Sequence, residues 1–166
     1  MKYNKQIPQV KNIGLQNNFH YKNKLGLDKA YKSNTSTHID GDTMFIAGTK
    51  NIKDWYDDFT KLPFGLTKHA DRYKDAEKAL KENPNVKKIV GHSLGSSVSD
   101  ELRKQHPDKK LELKALYGSP FVDFGNKTHE NRFRHRGDLI SMFDSGSKVV
   151  GGSFNPLKAH EYAGYE

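Results

Sequence analysis

The chain contains no cysteine among its 166 residues. That excludes a disulfide framework, a thiolate-bound zinc or iron–sulfur centre, and a cysteine nucleophile. Long apolar runs are also missing. None approaches the ~18–20 residues of a membrane span, and the opening Met1-Lys2-Tyr3-Asn4-Lys5-Gln6 lacks the apolar stretch of a secretory leader. The expectation is a protein without an export route, cytoplasmic or associated with a virus particle. Apolar residues make up 34%, and even with the 14 glycines counted the share stays below the ~45–50% of globular chains. At this length one modest core is expected, not two.

Arginine is scarce: 5 of the 28 basic residues, set against 20 acids for a formal charge of +8. The excess is unevenly placed. Residues 1–38 hold seven lysines and the single acid Asp28, whereas residues 39–166 hold 21 basic and 19 acidic residues. This divides the chain into a Lys/Asn-rich arm or cover (1–38) and a nearly neutral body (39–166). Bidentate phosphate recognition favours arginine, so the lysine bias argues against a nucleic-acid surface. It leaves an anionic membrane, met through the N-terminal lysines, as a partner, or a bias of coding. The eight histidines form no compact His-x-x-x-His set, and Asp40 with Asp42 lacks the rest of a calcium loop. No metal and no cofactor are expected.

Weak signals over 1–28 suit an arm or irregular cover. Asp40-Gly41-Asp42 between two β-prone runs predicts a hairpin whose second arm, 43–47, is a buried strand. Apolar spacing predicts helices over 51–62, ended by Pro63 and Gly65, and over 67–83. A strand over 86–90, a helix over 94–105, and strands over 111–117 and 132–136 follow, with loops beyond. This order predicts an α/β layered sheet, mostly parallel, with helices on both faces and ligands past the C-terminal strand ends. Those ends are Gly48-Thr49, Gly91-His92-Ser93, Gly118-Ser119-Pro120 and Gly137-Asp138. Arg132, Arg134 and Arg136 alternate on one face, as a solvated edge strand would have them. Ser96, Ser97 and Ser99 read as polar filler at a helix start.

The sharpest signal is Gly91-His92-Ser93-Leu94-Gly95 between a strand and a helix. Gly-x-Ser-x-Gly in that setting is a nucleophile elbow, a turn so tight that a Cβ at either glycine would strike neighbouring backbone. It lifts the Ser93 hydroxyl above the sheet at a helix N-terminus, where the Leu94 amide faces a developing oxyanion. Serine needs a base, and the base an orienting acid, in the order Ser, acid, His. Downstream acids at strand ends or loops are Asp123, Asp138 and Asp144; downstream histidines are His106, His129, His135 and His160. Spacing favours Asp138, directly after a strand-like run, and His160, in a late polar loop. His106 and His135 read as structural or surface histidines. Thr49, after the preceding sheet strand, is placed to give a second oxyanion donor and to cap the helix predicted from 51.

With these residues assembled, the chain resembles the class 3 lipases, the fungal-lipase-like branch of the α/β hydrolases. The likeness spans about residues 39–166. It rests on Phe45-Ile46-Ala47-Gly48-Thr49 followed by Asp54-Trp55-Tyr56-Asp57-Asp58, on the elbow, and on Tyr117-Gly118-Ser119-Pro120. It continues in Arg136-Gly137-Asp138-Leu139-Ile140 and in Ala159-His160 with Tyr162. The resemblance implies a compact α/β-hydrolase fold with Ser93 as nucleophile, His160 as general base and acid, and Asp138 as orienting carboxylate. It also implies an oxyanion hole of Thr49 and Leu94. Only 22 residues separate Asp138 from His160, and the usual lid segment, here 62–67, is very short. The implied activity is hydrolysis of acylglycerol or phospholipid-type esters at a small, open site suited to modest acyl chains. The alternative is a catalytically silent hydrolase-like module in a larger assembly or virion, its basic arm binding nucleic acid, an anionic membrane or a protein.

Overall fold

A computed structural model of the chain describes residues 9–50, 63–120, 131–141, 144 and 146–161, with backbone alone for 9–17, 63–70 and 157. The helix expected over 51–62, with Asp54 and Trp55, lies outside the described residues, as do Asp123, His129 and Tyr162. In chain order the elements are α1 (Gln9–Lys32), β1 (Thr37–Asp40), β2 (Thr43–Ile46), α2 (Pro63–Glu82), β3 (Lys88–His92) and α3 (Leu94–Gln105). After a 3₁₀ turn (Pro107–Lys109) come β4 (Glu112–Tyr117), β5 (Arg132–Arg136), β6 (Lys148–Gly152) and α4 (Pro156–His160).

The six strands form one sheet in the order β1-β2-β3-β4-β5-β6. β1 and β2 are an antiparallel hairpin closed at Gly41-Asp42, with Asp40 opposite Thr43; every later pairing is parallel. The architecture is therefore α/β with a mostly parallel sheet. Parallel strands put all their C-terminal ends on one edge, so the segments after β2, β3, β4 and β5 meet there.

Alternation along the strands splits the core into two layers. Met44, Ile46, Ile89, Leu113 and Leu116 face α2 and α3, meeting Ala76, Leu80, Val98 and Leu102. Phe45, Ala47, Val90, Ala115, Tyr117 and Phe133 face the other way and meet Leu27 and Ala30 of α1. Each fully buried Leu, Ile or Val contributes ~1.5–3 kcal/mol. The two layers thus sandwich the sheet between helices on both faces.

Four sequence expectations are corrected. Residues 9–32, weakly patterned, are one helix whose buried face is Asn23, Leu27 and Ala30. Its polar and small residues hide the apolar period on which a helix is normally read. Pro63 and Gly65, expected to end a helix, lie inside α2; proline at the first helical position loses no intrahelical bond. The chain beyond residue 138 is not all loop: it supplies β6 and α4. β5 is likewise not an edge strand. It lies between β4 and β6, Arg132 is buried, and its guanidinium stands 3.1 Å from Asp144. No described helix is long and apolar enough to cross a membrane.

Candidate active site

The elbow forms because β3 and α3 are joined by one residue. Ser93 takes φ 54° and ψ −127°, outside the regions open to most L-residues, at a cost of ~1–3 kcal/mol. Its amide donates to the Tyr117 carbonyl at 2.8 Å, and the Ser96 hydroxyl donates to the same oxygen at 3.0 Å. Ser99 donates to the Gly95 carbonyl at 2.6 Å, so these two serines bond backbone, as a helix start would use them. A Cβ at Gly95 would overlap the Ile46 carbonyl, and one at Gly91 would lie 2.6 Å from the Gly95 oxygen. The glycine spacing read from sequence therefore has a steric cause: α3 starts in contact with β2.

Ser93, Asp138 and His160 come together. The Ser93 hydroxyl lies 2.8 Å from His160 Nε2, and His160 Nδ1 lies 3.0 and 2.9 Å from the two Asp138 oxygens. Since the carboxylate can only accept, Nδ1 carries the proton and Nε2 is left to accept from the serine. Asp138 also accepts from the Ile140 amide at 2.9 Å and the Ser141 hydroxyl at 2.5 Å. Burial, the largest influence, pushes its carboxyl up; the hydrogen bond and charge of His160, then Ser141 and Ile140, outweigh it and hold the carboxyl below its ordinary value. All three side chains are buried, Ser93 at 4% exposure and the others at 1%. Gly118, with φ 55°, makes room for the pair: a Cβ there would sit 3.2 Å from the His160 ring and 3.3 Å from Asp138.

The turn after β2 touches Ser93, since a Cβ at Gly48 would lie 2.7 Å from Ser93 Cβ. The next hydroxyl, Thr49 Oγ1, is buried and has no hydrogen-bond partner among the described residues. Leu94, at the first position of α3, has an amide with no intrahelical acceptor. Leu94 thus follows Ser93 directly in the chain, and Thr49 follows the Gly48 that packs against it.

The other candidates among the described residues do not join. His106, at the C-terminal end of α3, pairs with Glu77 at 3.1 Å, and Asp144 with Arg132. His135 is buried and donates from Nδ1 to the Ala159 carbonyl at 2.7 Å. Sequence reasoning missed His92 and Tyr31. His92 Nε2 donates to the His160 carbonyl at 2.9 Å, while its Nδ1 accepts from the Tyr31 hydroxyl at 2.6 Å. The only signal was their position, His92 inside the elbow pentapeptide and Tyr31 at the end of the basic segment. Complete burial, helped by the neighbouring His160, lowers the His92 pKa to about 3 and keeps the ring neutral.

A shallow cleft of about 460 Å³ lies between the segments carrying Asp138 and His160, lined by Arg136, Leu139, Gly152, Phe154 and Pro156 among others. Leu139, at 39% exposure, and the fully exposed Phe154 give it an apolar rim. No group of three or more potential metal ligands occurs among the described residues. Compared with family models, with curated proteins and with solved structures, the chain finds no match.

Proposed function

We propose that this chain is a serine ester hydrolase of α/β-hydrolase architecture, related to the class 3 lipases it resembles in sequence. The observation carrying the proposal is the directed chain Ser93–His160–Asp138 on a strained turn at the start of α3. A merely structural turn has no need of positive φ at serine, nor of an imidazole aimed at its hydroxyl.

Ser93 Oγ attacks the acyl carbonyl carbon as His160 Nε2 takes its proton. The carbonyl oxygen becomes an oxyanion held by the Leu94 amide and by Thr49. His160 then returns the proton to the leaving alkoxide, releasing the alcohol and an acyl-serine. Water, deprotonated by His160, attacks that ester, and His160 returns the proton to Ser93 Oγ as the acyl–oxygen bond breaks and the carboxylic acid leaves. Asp138 keeps the proton on Nδ1 throughout and stabilises the imidazolium. The resemblance to the class 3 lipases points to amphiphilic esters, acylglycerol or phospholipid, as the substrate class.

The test is hydrolysis of a short p-nitrophenyl ester and a dispersed phospholipid by the wild type, Ser93→Ala and His160→Ala. The expected result is a loss of at least ~10³-fold in both variants. Equal rates in all three proteins overturn the enzymatic reading.

A further inference from the structure

The last turn of α4 poses a problem that its length cannot solve. A helix leaves its final four carbonyls without intrahelical donors, and α4 has only five residues. Two of these carbonyls, on Ala159 and His160, belong to fully buried residues, where an unmade hydrogen bond is costly because no water can replace it. Each is met by an imidazole N–H, from His135 on β5 and from His92 on β3.

The His92 bond reaches further. Because Nε2 donates to a carbonyl, Nδ1 of the neutral ring must accept, and Tyr31 of α1 donates to it. The Tyr31 hydroxyl in turn accepts from the Gly48 amide at 3.1 Å. Every donor and acceptor in the series has one consistent direction: Gly48 N–H to Tyr31, Tyr31 O–H to His92, His92 N–H to His160 C=O. The series joins the oxyanion turn to the backbone of the base. It also ties both to a helix outside the stretch that resembles a lipase.

We propose that Tyr31 and His92 are positioning residues that fix the main chain of His160 relative to the Gly48-Thr49 turn, so that the imidazole and the oxyanion donors address one acyl group together. Neither residue touches substrate. They act through His160, whose ring lies 5.3 Å from that of His92, and through Gly48. Misplacement of a reacting group by ~1 Å can cost ~10²-fold in rate, so a lost clamp is read in turnover rather than in binding.

The inference rests on the hydrolase reading, and its test separates the two. Tyr31→Phe, His92→Leu and His92→Gln are compared with wild type in ester hydrolysis, in covalent labelling of Ser93 by a fluorophosphonate, and in the ¹H NMR signal of the His160 Nδ1 proton. Tyr31→Phe and His92→Leu are expected to lower kcat and the labelling rate ~10–10²-fold with KM changed less than about two-fold, and to shift or broaden the His160 signal. His92→Gln, which keeps an N–H near the Nε2 position, is expected to recover part of the loss. Wild-type kcat and an unmoved signal in folded Tyr31→Phe overturn the inference and leave the hydrolase reading standing. A wild type that neither hydrolyses nor labels, but whose His160 signal moves in Tyr31→Phe, overturns the hydrolase reading and keeps the positioning role.

Discussion

Asp138 holds His160 from two sides of one carboxylate, with both oxygens within 3.0 Å of Nδ1. The 22-residue separation in sequence closes because β6 and α4 fold back over the end of β5. The Ser141 hydroxyl and the Ile140 amide fix the carboxylate, leaving the imidazole one tautomer to adopt.

Asp138→Asn keeps the shape but offers an amide where the Nδ1 proton needs an acceptor. The Asn side chain can flip to donate to Nδ1 and force the proton onto Nε2, where it faces the Ser93 hydroxyl. A fall in kcat of ~10⁴-fold is expected, with the protein still folded, as read by ester hydrolysis alongside circular dichroism.

Thr49 carries a buried hydroxyl that no described residue engages. If it serves the oxyanion, Thr49→Ala lowers kcat ~10²–10³-fold while Thr49→Ser stays within a few-fold of wild type. Steady-state kinetics of the two variants decide this. Equal losses in both point to the methyl group, hence to packing.

His92 makes the fold sensitive to acid. In the unfolded chain it takes up a proton near its ordinary 6.5, but in the folded protein only near pH 3. Below about pH 6.5 the unfolded state therefore binds more protons, and stability falls as pH falls, by ~1.4 kcal/mol per unit from this residue. Above 6.5 its contribution is complete and flat. Urea unfolding at about pH 7.5 and about pH 5.5 is expected to show a loss larger in wild type than in His92→Gln by ~1.4 kcal/mol.

The Arg132–Asp144 pair is buried on both sides, at 6% and 1% side-chain exposure. Its net worth as a pair is modest, yet removing one partner strands a charge. Arg132→Met is expected to cost ~3–5 kcal/mol, and pairing it with Asp144→Leu to recover much of that. Chemical denaturation of the single and double variants measures the coupling directly.

Local patterns carry far in this chain. The hairpin at Gly41-Asp42 and helix Leu94–Gln105 stand where spacing and turn residues put them, because each is decided by neighbours a few positions away. Ser93 was legible for the same reason, since an elbow is a five-residue device. Helix α1 was not, because it packs through Asn23, Leu27, Ala30 and Gly26, the last lying flat against the Phe45 ring. A small-residue face makes close contact without showing an apolar stripe.

Seven lysines precede residue 39, against the single acid Asp28. By itself the sequence determined that this charge is local, that thiol and disulfide chemistry are excluded, and that one serine sits on a tight turn between strand and helix. Sequence order and the family resemblance nominated Asp138 and His160, but only the tertiary structure decided that they meet Ser93 and that Tyr31 and His92 stand behind them. Those contacts join residues 22 to 68 positions apart. Their register is set by how strands pair and helices pack, a property of the whole chain that no short window of sequence contains.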